Sequence, residues 1–207
     1  MVRGVILAGG ASSRMGRPKA ALPLTDPADT FAGRLARTFI ASGLPDVLIV
    51  TGADDERVRA ATVPRDRRVT FVHNPEWASG QLSSLHAALR VPSRLGEHAE
   101  IEAIVMSLVD IPLVSPATVM AVMREWRATR APVVRPARGD EHGHPVVFDR
   151  AIFDELLRAD PQQGAKPVVH AHAADLRNVP IEDEGAYLDV DTEAEYVALV
   201  ERLRVAG

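Results

Sequence analysis

Apolar residues in this chain fall into short unbroken runs, separated by segments whose apolar positions recur every three or four residues. The runs are Val5–Ala8, Asp46–Thr51, Val69–Val72 and Ile104–Val109. Near-continuous runs of this length are expected of strands covered on both faces, rather than of strands with one face in water. Between them, Phe31, Leu35 and Phe39 make one helical stripe, and Val119, Val122, Met123 and Trp126 make another. Ser115 followed by Pro116 supplies the second of these helices with an N-cap and a first-turn proline. Near the C-terminus, Thr192 and Glu195 have capping-box spacing, and Tyr196, Leu199, Val200 and Leu203 form the face that follows.

Strands alternating with helices imply right-handed crossovers and a parallel sheet. The reading is an α/β fold of three layers, Rossmann-like, with a mostly parallel sheet. Val133–Arg135 and Pro145–Phe148 are late strands, one of them expected to run antiparallel at a sheet edge. A length of 207 residues fits one domain, 1–207, with no internal repeat. In such folds chemistry gathers beyond the carboxyl ends of the strands. That rule directs attention to Gly9–Lys19, to Thr51 and Gly52 with the residues up to Asp54, to His73–Leu85, and to Asp110–Pro112.

Composition narrows the chemistry. The 24 basic and 28 acidic residues sum to −4, which argues against a nucleic-acid partner or a membrane surface. The chain has no cysteine, so disulfides, thiolate metal sites and cysteine nucleophiles are excluded. No secretory signal and no apolar run of membrane-spanning length is read, and a cytoplasmic location is expected.

The strongest local signal is Leu7-Ala8-Gly9-Gly10-Ala11-Ser12-Ser13-Arg14-Met15-Gly16-Arg17-Pro18-Lys19, directly after the first strand. Its glycines let backbone N–H groups approach an anion closely. Arg14, Arg17 and Lys19 add three positive charges within six residues. Five residues separate Gly10 from Gly16, and a lysine-serine or lysine-threonine pair is missing, so this is not a Walker A loop. Gly-x-Gly-x-x-Gly does not occur either.

These residues resemble the signature of the molybdenum-cofactor nucleotidyltransferases and their wider superfamily. The resemblance implies that Leu7, Ala8, Gly9 and Gly10 approach base and phosphates, while Arg14 and Lys19 hold the triphosphate and act in catalysis. Nucleotidyl transfer develops charge that Mg2+ held by carboxylates can neutralise. Asp110, before Ile111-Pro112, either caps a turn or binds that metal; the strand-end position and the resemblance favour the metal. In Leu188-Asp189-Val190-Asp191-Thr192, Asp191 is either a first-turn acid of the last helix or, by resemblance, the second metal ligand, with Asp189 its rival.

Gly80-Gln81-Leu82-Ser83-Ser84-Leu85 opens a helix, where Ser83 and Ser84 either cap it or contact a ligand. The segment is similar to that of the cytidylyltransferase branch, and so are Gly143–Phe148 and Gly164–Val169. That likeness makes Gly80, Ser83 and Ser84 nucleotide contacts, and His144 and Lys166 contacts for the phosphate of the acceptor; a strand-start histidine and a solvated lysine are equal alternatives. Leu7-Ala8-Gly9-Gly10 instead follows the guanylyltransferases, where cytidylyltransferases commonly have alanine at the position of Gly9. His170 and His172, two apart, read as structural or surface residues rather than a metal pair.

The implied reaction transfers CMP from CTP to molybdopterin with release of pyrophosphate, in a monomer, with a molybdoenzyme as candidate protein partner. GTP as donor, a sugar phosphate or another phosphorylated metabolite as acceptor, and a non-catalytic nucleotide-binding chaperone of a cofactor enzyme are the competing readings.

Overall fold

The computed structural model describes residues 1–12, 15–62, 66–96 and 99–206. Elements follow in the order β1 (Val2–Ala8), α1 (Phe31–Ala41), β2 (Val47–Thr51), α2 (Asp55–Ala61), β3 (Val69–His73), α3 (Gln81–Arg90) and β4 (Ala103–Leu108). Then come α4 (Pro116–Thr129), β5 (Val133–Arg138), β6 (Glu141–His142), β7 (Val146–Asp149), α5 (Phe153–Arg158), α6 (Lys166–Ala171), β8 (Arg177–Pro180) and α7 (Glu193–Ala206).

Among the described residues the strands form one eight-stranded sheet in the order β3-β2-β1-β4-β7-β5, with β6 and β8 completing it on β5. β1 pairs in parallel with β2 and with β4, and β2 with β3. β7 runs antiparallel to both β4 and β5. It therefore lies inside the sheet, not at the edge where an antiparallel strand was expected. The reason is local: β7 returns from the β5–β6 hairpin and fills the gap between β4 and β5. The edges are β3 and β8, and β3 is correspondingly half-buried along Val69–Val72 instead of covered on both faces.

Alternate residues of the inner strands feed two apolar clusters. Ile6, Ile49, Val105 and Val147 meet Phe31, Leu35 and Phe39 of α1, Val119, Val122 and Trp126 of α4, and Leu199 of α7. Val5, Leu7, Ile104, Met106 and Phe148 meet Leu82 and Leu85 of α3, Leu156 of α5 and Val168 of α6. A sheet buried on both faces accounts for the unbroken apolar runs, and burial of these side chains is the main favourable term in folding. Ser115 caps α4 by accepting from Thr118 N at 3.2 Å, with Pro116 in the first turn. The reciprocal box at α7 also forms, with Glu195 Oε2 accepting from Thr192 N at 2.8 Å and Glu195 N donating to Thr192 Oγ1 at 3.3 Å. No helix among the described residues is long and apolar enough to cross a membrane.

The candidate active site

The parallel strands all point their carboxyl ends to one rim, and the turns leaving β1, β2 and β4 enclose a cleft of about 430 Å³. The turn after β1 makes one wall. Ser12 takes a left-handed conformation, φ 48°, its carbonyl accepts from Met15 N at 2.9 Å, and its Oγ accepts from Lys19 N at 3.0 Å. These bonds curl the turn so that Lys19 comes back over the end of the strand. Arg14, expected to hold the triphosphate, lies outside the described residues. Arg17 turns away from the cleft: it pairs with Glu193 at 2.6 Å and lies over the Tyr196 ring, tying the loop to α7.

A second turn presses against the first. A Cβ on Gly52 would stand 2.3 Å from Gly9 O and 2.6 Å from Trp77 Cβ, so only glycine permits this approach. Gly52 thus shapes the wall without lining the cleft. Thr51, one residue earlier, is fully buried; its hydroxyl donates to Asp55 and lies 3.3 Å from Val72 O, which removes it from the ligand contacts expected of it.

The floor facing Lys19 comes from α3. Buried Asn74 donates through Nδ2 to Ser83 Oγ at 2.8 Å and to Ser84 Oγ at 3.1 Å, and its Oδ1 accepts from Glu76 N at 3.0 Å. Ser83 in turn directs its hydroxyl to Gly80 O at 2.7 Å and Glu76 O at 2.9 Å, so it fastens the start of α3 and does not line the cleft. Ser84 does line it, and nothing among the described residues accepts its hydroxyl proton. Gly80, Leu7, Ala8, Gly9 and Gly10 line the cleft as expected. Trp77, Gln81 and Asp54 also line it; they fall within the strand-end segments singled out in the sequence but were not named as contacts. Gln81 lies inside the Gly80–Leu85 motif and Trp77 three residues before it, and the frequency of aromatic side chains in ligand sites was the available signal.

Two carboxylates close the cleft. Lys19 Nζ lies 2.5 Å from Asp191 Oδ1 and 3.6 Å from Asp110 Oδ2. A backbone bond from Val190 N to Asp110 O, 2.9 Å, binds the two acidic segments together. Asp191 N donates to Glu195 Oε2 at 2.8 Å, so the capping box of α7 also positions this carboxylate. Burial pushes the Asp110 carboxyl above its ordinary value; the Lys19 ammonium opposes that rise, and Asp191 and Asp189 add to it. Asp110 Oδ1 is buried without a hydrogen-bond partner among the described residues. A buried orphan carboxylate oxygen is costly unless something charged satisfies it. A hard divalent cation meets that need, and the pair Asp110 and Asp191 suits Mg2+, which commonly takes one or two carboxylates and completes its shell with water and phosphate. Among the described residues there is no group of three or more His, Asp or Glu side chains placed to hold a metal.

Two expected acceptor contacts stand apart. His144 lies against the sheet with Nδ1 3.5 Å from Met106 O, and burial lowers its pKa to about 4. It is neutral at physiological pH and does not line the cleft. Lys166, the first residue of α6, is exposed and also outside the lining. His172 pairs with Glu155 at 2.9 Å, linking α6 to α5, while His170 is exposed.

Residues 4–176 match the MobA-like NTP transferase domain. Over 198 residues the chain is 30% identical to the nicotine blue oxidoreductase of Paenarthrobacter nicotinovorans, covering 92% of each chain. It is 25% identical over 201 residues to the molybdenum cofactor cytidylyltransferase of Escherichia coli, covering 96% of this chain and 95% of the other. The crystal structure of Rv0371c in complex with manganese, from Mycobacterium tuberculosis, superposes with a TM-score of 0.75 at 30% identity, over 97% of this chain and 98% of that one. A glycine-rich turn, a returning lysine and two convergent aspartates on a mostly parallel sheet thus accompany a match over most of the chain, and the protein belongs to the MobA-like nucleotidyltransferase family.

Proposed function

We propose that the protein transfers CMP from CTP to molybdopterin with Mg2+, releasing pyrophosphate, as a cytoplasmic monomer. The observation that carries this reading is the convergence of Lys19, Asp110 and Asp191 at one end of a cleft whose other lining includes Ser84, Gln81 and Trp77. One end is charged and suits a triphosphate. The other is partly apolar with a few polar groups and suits a base.

In this reading the backbone of Gly9 and Gly10 approaches the nucleotide, Ser84 and Gln81 offer hydrogen bonds to the base, and Trp77 offers an aromatic surface. Lys19 moves its ammonium from the carboxylates towards the triphosphate. Asp110 and Asp191 hold Mg2+, which when bound neutralises charge on the phosphate oxygens. The attacking group is the phosphate of the acceptor, already ionised at neutral pH, so the chain need provide no general base. Its contribution is alignment and fixed charge.

Support for CTP comes from the likeness of the Gly80–Leu85 segment to the cytidylyltransferase branch and from the cytidylyltransferase relative. Gly9 supports GTP. Pyrophosphate release with Mg2+ and each of CTP, GTP, ATP and UTP, with and without molybdopterin, separates them. Release only with CTP and acceptor is expected; release with GTP makes the first loop decisive for the base.

A second reading is favoured by the relative named nicotine blue oxidoreductase. The chain would then catalyse a redox reaction of nicotine blue. Reduction of that dye by an added reductant, dependent on the protein and with no requirement for Asp110, would replace the transferase reading.

A further inference from the structure

The sheet face that carries Leu108 into the cleft continues beyond it. Met106 pairs with Val146, and Val134 pairs with Val147. Continuing that register by one residue puts Arg135 beside Val146, and Arg135 itself pairs with Asn178 on β8. Met106, Val146, Arg135 and Asn178 therefore form one row across four strands. Side chains opposite one another in paired strands share a face. Val133 and Phe148 on this face are buried beneath α5 and α6, whereas Leu108, Val146 and Arg135 are only half-buried. Apart from buried Met106 the row is a partly exposed shelf, and it shares its sheet face with Leu108, which lines the nucleotide cleft.

Arg135 differs from the arginines of this protein that are held in ion pairs. Arg3, Arg17, Arg34, Arg59, Arg68 and Arg138 all contact carboxylates. Arg135 has no carboxylate within ion-pair distance among the described residues. Its Nε donates to Asn178 Oδ1 at 2.9 Å, which fixes the plane of the guanidinium, and its terminal nitrogens have no protein partner among the described residues. Partial burial lowers its pKa. His142 lies on the same face, since its partner Ala137 is two residues beyond Arg135, and it feels the guanidinium charge. A fixed, partly desolvated fork of unused donors is a site for an anionic group, which it can bind with two parallel hydrogen bonds.

We infer that Arg135, oriented by Asn178, binds an anionic group of the acceptor at the end distal from its attacking phosphate. β5 is two strands from β4, about 10 Å across the sheet at ordinary strand spacing, and Asp110 lies four residues further along the chain than Met106, the β4 residue in the row of Arg135. That separation suits an acceptor whose phosphate sits by Asp110 while its body lies along Leu108 and Val146. Lys166 and His144, expected at the acceptor's phosphate, are exposed and neutral respectively, and Arg135 is assigned to a different anionic group of the acceptor.

This inference rests on the transferase reading for the identity of the ligand, but the anion site is testable alone. The first measurement is the Nε–Hε resonance of Arg135 in a 15N NMR spectrum, assigned by its loss in R135K, with protein saturated by Mg2+ and a non-hydrolysable CTP analogue. Titration with inorganic phosphate should shift it at low millimolar concentration, and chloride at equal ionic strength should not. No shift, or an equal shift with chloride, overturns the site. The second is the acceptor KM of R135Q, expected to rise about tenfold or more, as loss of a charge-assisted pair implies, with the KM for CTP unmoved. An unchanged acceptor KM overturns the assignment to the acceptor. If no nucleotide and acceptor pair releases pyrophosphate from the wild-type protein but the resonance responds to phosphate, the transferase reading fails and the anion site stands.

Discussion

Gly9 and Ser84 face each other so closely that a Cβ on Gly9 would stand 2.8 Å from Ser84 Oγ. Ser84 could turn aside, but its Oγ accepts from Asn74 Nδ2 at 3.1 Å, and rotation would leave that buried amide one partner short. The turn after β1 and the start of α3 are therefore matched to one another. G9A is expected to cost about 1 kcal/mol, the worth of one such hydrogen bond; S84A loses the same bond, so G9A should cost little more in a chain that already carries S84A. Urea unfolding of the single and double variants measures this. Additive effects would mean that the two positions are independent.

Asp110 illustrates a conflict between stability and function. Its carboxyl is buried, its pKa is raised chiefly by that burial, and Oδ1 lacks a hydrogen-bond partner among the described residues. D110N keeps the shape and removes the charge. Metal-dependent pyrophosphate release should fall by about three orders of magnitude, as for loss of a major electrostatic contributor, while the Tm without metal stays level or rises. Turnover within tenfold of wild type would remove Asp110 from the metal site.

Most of the frame was legible because burial on both faces leaves unbroken apolar runs, as at Val47–Thr51, and because α1 carries Phe31, Leu35 and Phe39 on one stripe. The strand-end rule led to Lys19 and Asp110, and the geometry brings them within 3.6 Å. It misled at Thr51, where position at a strand end says nothing of which way a hydroxyl turns. Trp77 and Gln81 were not named as contacts because periodicity marks buried faces, whereas Trp77 lies in the turn before α3 and Gln81 is the exposed first residue of that helix; they reach the cleft only when the crossover between β3 and β4 folds back over the sheet. His144 shows the same limit: a strand-start histidine reads alike whether it faces a ligand or lies against a carbonyl.

That burial has a pH consequence. The pKa of His144 falls from 6.5 to about 4 on folding. A depressed histidine pKa means that the unfolded chain takes up the proton first. Stability from this group is therefore complete above pH 6.5 and is lost as pH falls towards 4, by at most about 1.4 kcal/mol per unit. H144Q should flatten this limb of the profile of unfolding free energy against pH. A profile with the same slope in wild type and variant would assign the acid sensitivity elsewhere.

At the opposite end of the sheet from the cleft, Arg3 and Asp46 form a buried pair, their side chains 0% and 3% exposed. Arg3 Nε donates to Asp46 Oδ2 at 2.8 Å, Nη1 to Val91 O at 2.6 Å and Nη2 to Pro92 O at 2.9 Å. One guanidinium thus joins the starts of β1 and β2 to the end of α3. R3M would leave a buried carboxylate and two carbonyls without this donor, which is expected to cost about 3–5 kcal/mol. R3M with D46L should cost less than R3M alone, because the stranded charge is gone. Urea unfolding gives both values, and the nucleotide affinity of the folded fraction should not change, since the pair is a strand length away from Gly9 and Asp110. A loss under about 1 kcal/mol in R3M would show that Asp46 finds water or another donor, and that the pair is not what holds this end of the sheet to α3.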